Sequence, residues 1–260
     1  MSLLEALGPP LDERGLLDAV PELSLSRGVE QSPYHHLDTL EHTLEVVRGV
    51  QRELEENRLG ARVEPGRVEG LRLAAALHDV AKPVTRGELE DRVLFVSHDS
   101  LGAALVRRVC RRLGLSASLA DLAATLTALH LKIGFMRHHR TDYPPTRLAR
   151  AAGPFGEELA VLSWADRLAA QGPRLRPEHV ERHRSLCAEF LRFSRGLGPH
   201  PEPDYEGLAG RLPPESAPAD VGYAASSLRL FVARGSDEET ALASTARLLR
   251  EMVSQVRSSG

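Results

Sequence analysis

The chain has 260 residues, 42% of them hydrophobic and 27% charged, with a formal net charge of −3. This composition supplies one large core or two modest ones, excludes a disordered chain, and gives no global sign of a nucleic-acid partner. Cys110 and Cys187 lie far apart without CxxC spacing, which excludes a disulfide framework and a thiolate zinc site. The N-terminus has no basic start before an apolar run, and no run approaches about 18 apolar residues; the expectation is a cytoplasmic protein without a membrane partner.

Aromatic residues make up only 4% of the chain and β-branched runs are short, so strands have little support and an all-α fold is expected. In chain order, the periodicity predicts a helix over 36–57 with Leu37, Leu40, Leu44, Val47 and Leu54 on one stripe. The segment 68–77 is apolar almost all round and reads as a buried core helix. Residues 92–97 alone resemble a strand, with a loop as the alternative. A helix over 99–113 follows Ser97 as a cap and carries Leu101, Leu105, Val109 and Leu113. Helices over 116–133 and 155–170 repeat the pattern, the first with Leu119, Leu122, Leu126 and Leu129, the second with Leu159, Leu162, Trp164 and Leu168. Another over 177–193 opens on Pro177. The stretch 196–219 is rich in Pro and Gly and reads as a linker with at most short helices. A last amphipathic helix over 236–256 has Asp237, Glu238 and Glu239 at its start, where the dipole favours negative charge. The implied organisation is a helical lead-in (1–30), a core domain (31–195), and a linker with a helical tail (196–260).

The pair His78-Asp79 closes the apolar helix. A buried imidazole and carboxylate cost several kcal/mol unless hydrogen-bonded, ion-paired or bound to a metal. Asp166 lies four residues after Leu162 and seven after Leu159, on the apolar stripe of its own helix, and so faces the core. It is either a partner of Arg167 or another arginine, or a carboxylate ligand. His42 stands mid-helix as a structural histidine or a ligand, with Asp38 available to orient its ring. His130 follows Leu126 at helical spacing and leans toward the core. His98 opens a helix beside Ser97 and Asp99, where capping competes with ligation. The adjacent pairs His35/His36 and His138/His139 point about 100° apart within a helix, so at most one of each serves a given site, and a solvated edge is the favoured reading. His179, His183 and His200 read as surface residues. Lys82 is one of only two lysines, with Lys132. It is either a solvated helix end or a compact cation facing a phosphate.

A histidine, then His-Asp, then a distant aspartate resembles the HD superfamily of metal-dependent phosphohydrolases. The segment from Gly28-Val29-Glu30-Gln31 through Tyr34-His35-His36 to Glu41-His42-Thr43 resembles the entry to the HD domain of bacterial CCA-adding enzymes and poly(A)-polymerase-like nucleotidyltransferases. So do Leu77-His78-Asp79-Val80-Ala81-Lys82-Pro83, Ser97-His98-Asp99-Ser100-Leu101-Gly102-Ala103 and Ala165-Asp166-Arg167-Leu168-Ala169. Those enzymes carry a head with a Gly-Gly loop and an Asp-x-Asp pair. No Asp-x-Asp stands in this chain, so CCA polymerisation is not expected and the resemblance is to the HD portion standing alone. Ser97 also stands where that family often has glycine.

The resemblance implies an HD-domain helical bundle with a C-terminal helical extension. It implies that His42, His78, Asp79 and Asp166 bind one divalent ion, which the ligand set does not choose among Zn, Mn, Co, Ni, Fe or Mg. It further implies that His98 and His130 complete a second ion site, with Asp79 bridging. In such a site water is held as hydroxide with a pKa near about 7. Asp79 and Lys82 would be the catalytic residues. Lys82, Arg140, Arg147 and Arg167 would contact phosphate, salt bridges being the alternative for the arginines, and Asp38 and Asp99 would position or transfer protons. The expected activity is hydrolysis of nucleotide or RNA-end phosphate esters, either 2′,3′-cyclic phosphodiesters or phosphomonoesters. The alternative is a non-catalytic RNA-binding or scaffold module. A homodimer is compatible with either.

Overall fold

The computed structural model describes residues 2–90 and 92–258. Two short N-terminal helices, α1 (Leu3–Ala6) and α2 (Glu13–Ala19), are capped by Ser2 and Asp12. A 3₁₀ segment, Pro21–Ser26, follows. The first long helix, α3 (Thr39–Glu56), begins three residues later than its apolar pattern suggests because Asp38 is its N-cap: the Asp38 carboxylate accepts from the amides of Glu41 (2.8 Å) and Gly28 (2.7 Å). That capping role occupies Asp38, which therefore does not orient His42.

Helix α4 (Val68–Leu77) is buried as expected, with Leu71, Leu73 and Ala74 to Leu77 all inaccessible. The single turn α5 (Lys82–Thr85) leads into a hairpin of β1 (Arg86–Leu89) and β2 (Arg92–Phe95), paired antiparallel with Arg86 opposite Phe95. The segment 92–97 is thus a strand up to Phe95 and a turn thereafter. Ser97 lies in the left-handed region (φ 59°) and makes no side-chain cap for α6 (His98–Arg112), contrary to the expectation.

The buried face of α6 is also rotated from the expected leucine stripe. It is built from Gly102, Ala103, Val106, Val109 and Cys110, while Leu101 is 41% exposed. Small residues let α6 close on α7 (Ala117–Leu129): a Cβ at Gly102 would lie 2.9 Å from Thr127 Cγ2. The chain continues through α8 (Lys132–Phe135), α9 (Pro145–Ala152), α10 (Gly156–Ala169) and α11 (Pro177–Gly196). The main core joins α3, α4, α6, α7 and α10 around Leu44, Val50, Leu71, Leu126 and Leu159. His183 on α11 is buried rather than on the surface, with its Nε2 3.0 Å from the Ser163 carbonyl. His179 is exposed and His200 half-buried.

Beyond α12 (Tyr205–Ala209), α13 (Pro218–Ala233) is a helix the apolar periodicity does not announce. Its buried face is Ala219, Gly222, Ala225 and Ser226, small residues that give little amphipathic contrast in sequence. They admit a close helix approach: a Cβ at Gly222 would overlap the Ala117 carbonyl oxygen. Buried ion pairs lock this contact. Arg229 meets Asp121 at 2.5 Å, and Asp220 pairs with Arg107 and Arg111. The last helix, α14 (Glu238–Ser258), packs with α12 and α13 around Leu208, Ala224 and Leu249. The fold is all-α apart from the hairpin. No helix among the described residues is long and apolar enough to cross a membrane.

Candidate metal centre

Both α4 and α7 end on a histidine, and in both the ring folds back on its own last turn. His78 Nδ1 lies 2.8 Å from the Ala75 carbonyl, and His130 Nδ1 2.7 Å from the Thr127 carbonyl. Helix C-termini leave carbonyls without intrahelical partners, and these rings satisfy them. The hairpin does the same for the start of α6: the Phe95 carbonyl takes His98 Nδ1 at 2.8 Å. A carbonyl only accepts, so each Nδ1 carries the proton and each Nε2 presents a lone pair. All three Nε2 atoms point at Asp79.

Asp79 offers one oxygen to each of two histidine pairs. Its Oδ2 lies 3.0 Å from His78 Nε2 and 3.7 Å from His42 Nε2. Its Oδ1 lies 3.5 Å from His98 Nε2 and 3.7 Å from His130 Nε2. Asp166 extends the first pair, with Oδ1 3.0 Å from His42 Nε2; it pairs with that imidazole and not with Arg167. Three groups of donor atoms result, each within 4.8 Å: His35, His42 and Asp166; His42, His78 and Asp79; Asp79, His98 and His130. The six residues expected as ligands, His42, His78, Asp79, His98, His130 and Asp166, therefore come together from five elements and their ends.

The residues fit a divalent ion on their own chemistry. His42 Nδ1, His78 Nε2, His98 Nε2 and both Asp79 oxygens are buried without a well-formed hydrogen bond. The Nε2 lone pairs of His78, His98 and His130, facing the Asp79 oxygens at 3.0–3.7 Å, repel them unless a cation lies between. The titration shifts follow from the same contacts. Burial would raise the Asp79 carboxyl, but His78 and Lys82 hold it well below the usual carboxylate range. Burial likewise opposes charge on Asp166, and His42 overrides it in the same direction. Burial would depress His78, yet the adjacent Asp79 carboxylate raises it, so without a cation the ring tends to take a second proton at Nε2 where an ion would otherwise sit. His130 is pushed down to about 4 by burial and by His78, which leaves it neutral and able to ligate. The arrangement can hold one ion at Asp79 Oδ2 and a second at Oδ1.

Lys82 is buried rather than solvated. Its Nζ lies 2.6 Å from Asp79 Oδ2 and 2.6 Å from Gln31 Oε1, over the Phe95 ring. Asp99 accepts from Lys132 at 2.6 Å and from the Ser100 amide. Arg140 and Arg147 are exposed. Arg147 donates to the Asp142 carbonyl, and no described contact ties either arginine to the cluster. Arg167, next to Asp166, lines a cleft beside the site.

His35 is the residue that sequence reasoning set aside. The segment 31–38 is a loop, so the helical argument that only one of two adjacent histidines can serve gave no direction. Two backbone bonds clamp that loop, from the Gly172 amide to the Tyr34 carbonyl (2.8 Å) and from the Arg174 amide to the Pro33 carbonyl (3.1 Å). They place the His35 ring 4.9 Å from that of His42. Burial and the charge of Lys82 push His35 down to about 3, so its ring is neutral.

The sequence model of the HD domain matches residues 39–171. The chain is also similar to the A-adding tRNA nucleotidyltransferase of Deinococcus radiodurans, 34% identical over 166 residues, which are 63% of this chain and 35% of that protein. A similar match, 34% over 176 residues, is to the CC-adding tRNA nucleotidyltransferase of Thermus thermophilus, covering 64% of this chain and 36% of the relative. The chain thus spans little more than a third of the length of these curated relatives.

Proposed function

Because this chain belongs to the HD-domain family, within the superfamily of metal-dependent phosphohydrolases, we propose that it hydrolyses phosphate esters of nucleotides or RNA ends. The first substrates to test are 2′,3′-cyclic phosphodiesters and phosphomonoesters. The observation that carries this reading is the set of buried lone pairs converging on Asp79 from His78, His98 and His130, with the His42 ring beside them. RNA is favoured because both relatives named above are tRNA nucleotidyltransferases by name.

A bound divalent ion supplies an acidified water and polarises phosphoryl oxygens. The chain's own residues do the rest. His42, His78, Asp79 and Asp166 hold one ion, and Asp79 with His98 and His130 holds a second. Lys82 keeps Asp79 ionised and adds a fixed positive charge beside the reacting phosphoryl group. The Nδ1–H bonds of His78, His98 and His130 fix the tautomers and leave no rotational freedom to be lost at the moment of reaction.

The test is turnover by protein stripped with a chelator and repleted in turn with manganese, cobalt, nickel and zinc. The substrates are 2′,3′-cyclic AMP, 2′-AMP and p-nitrophenyl phosphate. Metal-dependent hydrolysis by the wild type and only background rates in His78→Ala are expected. Rates that are absent throughout, or equal in the two proteins, reject the reading.

A further inference from the structure

Five of the eleven histidines and three arginines line one cleft of about 680 Å³ between the His35 loop, the segment 134–139 and the outer face of α11, and no carboxylate lines it. That is a local concentration of cationic and polar groups in a chain whose net charge is −3. Arg137 at the rim is paired with Glu189, whereas no described carboxylate pairs with Arg167 or Arg182. Two aromatic side chains stand open in the same cleft, Phe135 at 57% and Tyr34 at 42% exposure.

The cleft also adjoins the metal centre. His42, His78 and Asp79 are sealed at 0–1% side-chain exposure, while Asp166 is 21% exposed. His35 joins the two, sharing a donor group with His42 and Asp166 and lining the cleft wall. The cationic side chains accompanied by open aromatic faces are the combination that binds single-stranded nucleic acid, arginine to phosphate and ring to base. The sequence hides it, because Tyr34, Phe135, Arg137, Arg167 and Arg182 come from four separate segments.

We propose that this cleft seats the nucleotides adjoining the scissile phosphate, so that the substrate is the end of a single-stranded oligonucleotide and not a mononucleotide. The inference rests on the phosphohydrolase reading for the word substrate, but the binding itself does not. Arg167 and Arg182 meet backbone phosphates beyond the reacting one, and Phe135 and Tyr34 stack bases.

The experiment measures binding of fluorescein-labelled oligoribonucleotides of one, two, four and eight residues with 3′-hydroxyl ends to the manganese-loaded full chain. These probes carry no terminal ester. Affinity is expected to rise at least tenfold from one residue to four, to fall with salt as phosphate contacts require, and to drop about tenfold in Arg182→Glu and in Phe135→Ala. Alongside, the ratio of kcat/KM for a 2′,3′-cyclic tetranucleotide to that for the cyclic mononucleotide falls toward one in Arg182→Glu. Length-independent binding, or equal binding of a polyglutamate peptide, overturns the proposal even if mononucleotide esters are hydrolysed. Length-dependent binding that Arg182→Glu abolishes upholds it even if no ester is turned over, in which case the hydrolase reading alone falls.

Discussion

Asp121 on α7 and Asp220 on α13 are as deeply buried as Asp79, at 0%, 1% and 1% exposure, but their surroundings differ in kind. Asp121 accepts from Arg229, Thr125 and the Tyr205 hydroxyl; Asp220 accepts from Arg107, Arg111 and the Ala217 amide. Asp79 faces four imidazole nitrogens, three of which have already committed their proton to a backbone carbonyl. The first pair of carboxylates is satisfied from within the chain and fastens one helix to another. Within the chain Asp79 has only the Lys82 ammonium, 2.6 Å from Oδ2, and the imidazole lone pairs that face both of its oxygens call for a further cation from outside. Burial of charge marks both clusters equally; what separates structure from function is the account of donors and acceptors around each.

The contrast breaks most sharply in activity. Asp79→Asn is expected to reduce metal-dependent phosphoester turnover to background, whereas Asp220→Asn retains it; loss in both would dissolve the distinction. In stability the order reverses. Asp220→Ala leaves Arg107 buried at 4% exposure without a carboxylate, at a cost of about 3–5 kcal/mol, read from urea unfolding. A cost under about 1 kcal/mol would mean that solvent reaches the arginine. Metal ions sharpen the comparison further. At a hundredfold excess over Kd they add about 2.7 kcal/mol to unfolding free energy, seen as a raised Tm in wild type and in Asp220→Asn but not in Asp79→Asn.

The smallest effect is in pH. Burial and Arg167 push His183 down to about 4 from 6.5. The unfolded chain therefore binds a proton between those values while the folded one does not. The stability this ring confers is full above pH 6.5 and is lost as the pH falls toward 4, at roughly 1 kcal/mol per unit or less. His183→Gln is expected to flatten that part of the stability profile, and identical slopes for the two proteins would refute the assignment.

These tests bear on residues of unequal legibility. His78-Asp79 could be read because the two polar residues end a helix that is apolar almost all round, and Asp166 because its spacing puts it on a core stripe. The corrections share one cause: each rests on a contact that the fold alone aims, whether its partner is near in sequence or far. Asp38 went to the N-cap of α3, Lys82 to a buried contact with Asp79 and Gln31, and His183 to the Ser163 carbonyl. None of these partners is marked by periodicity. α13 escaped notice because helices that pack most closely do so with Gly, Ala and Ser, the residues that carry the weakest hydrophobic signal.

The amino-acid sequence by itself determined the all-α class and the positions of most helices, which follow from local spacing, and through its resemblance to the HD family it pointed to six candidate ligands. Only the tertiary structure decided that Asp79 turns one oxygen to each histidine pair, that His35 joins the centre, and that scattered arginines and aromatics share one cleft. Those facts depend on how helices cross and which way loops are clamped, and such geometry is set by the packing of the whole core rather than by any one segment.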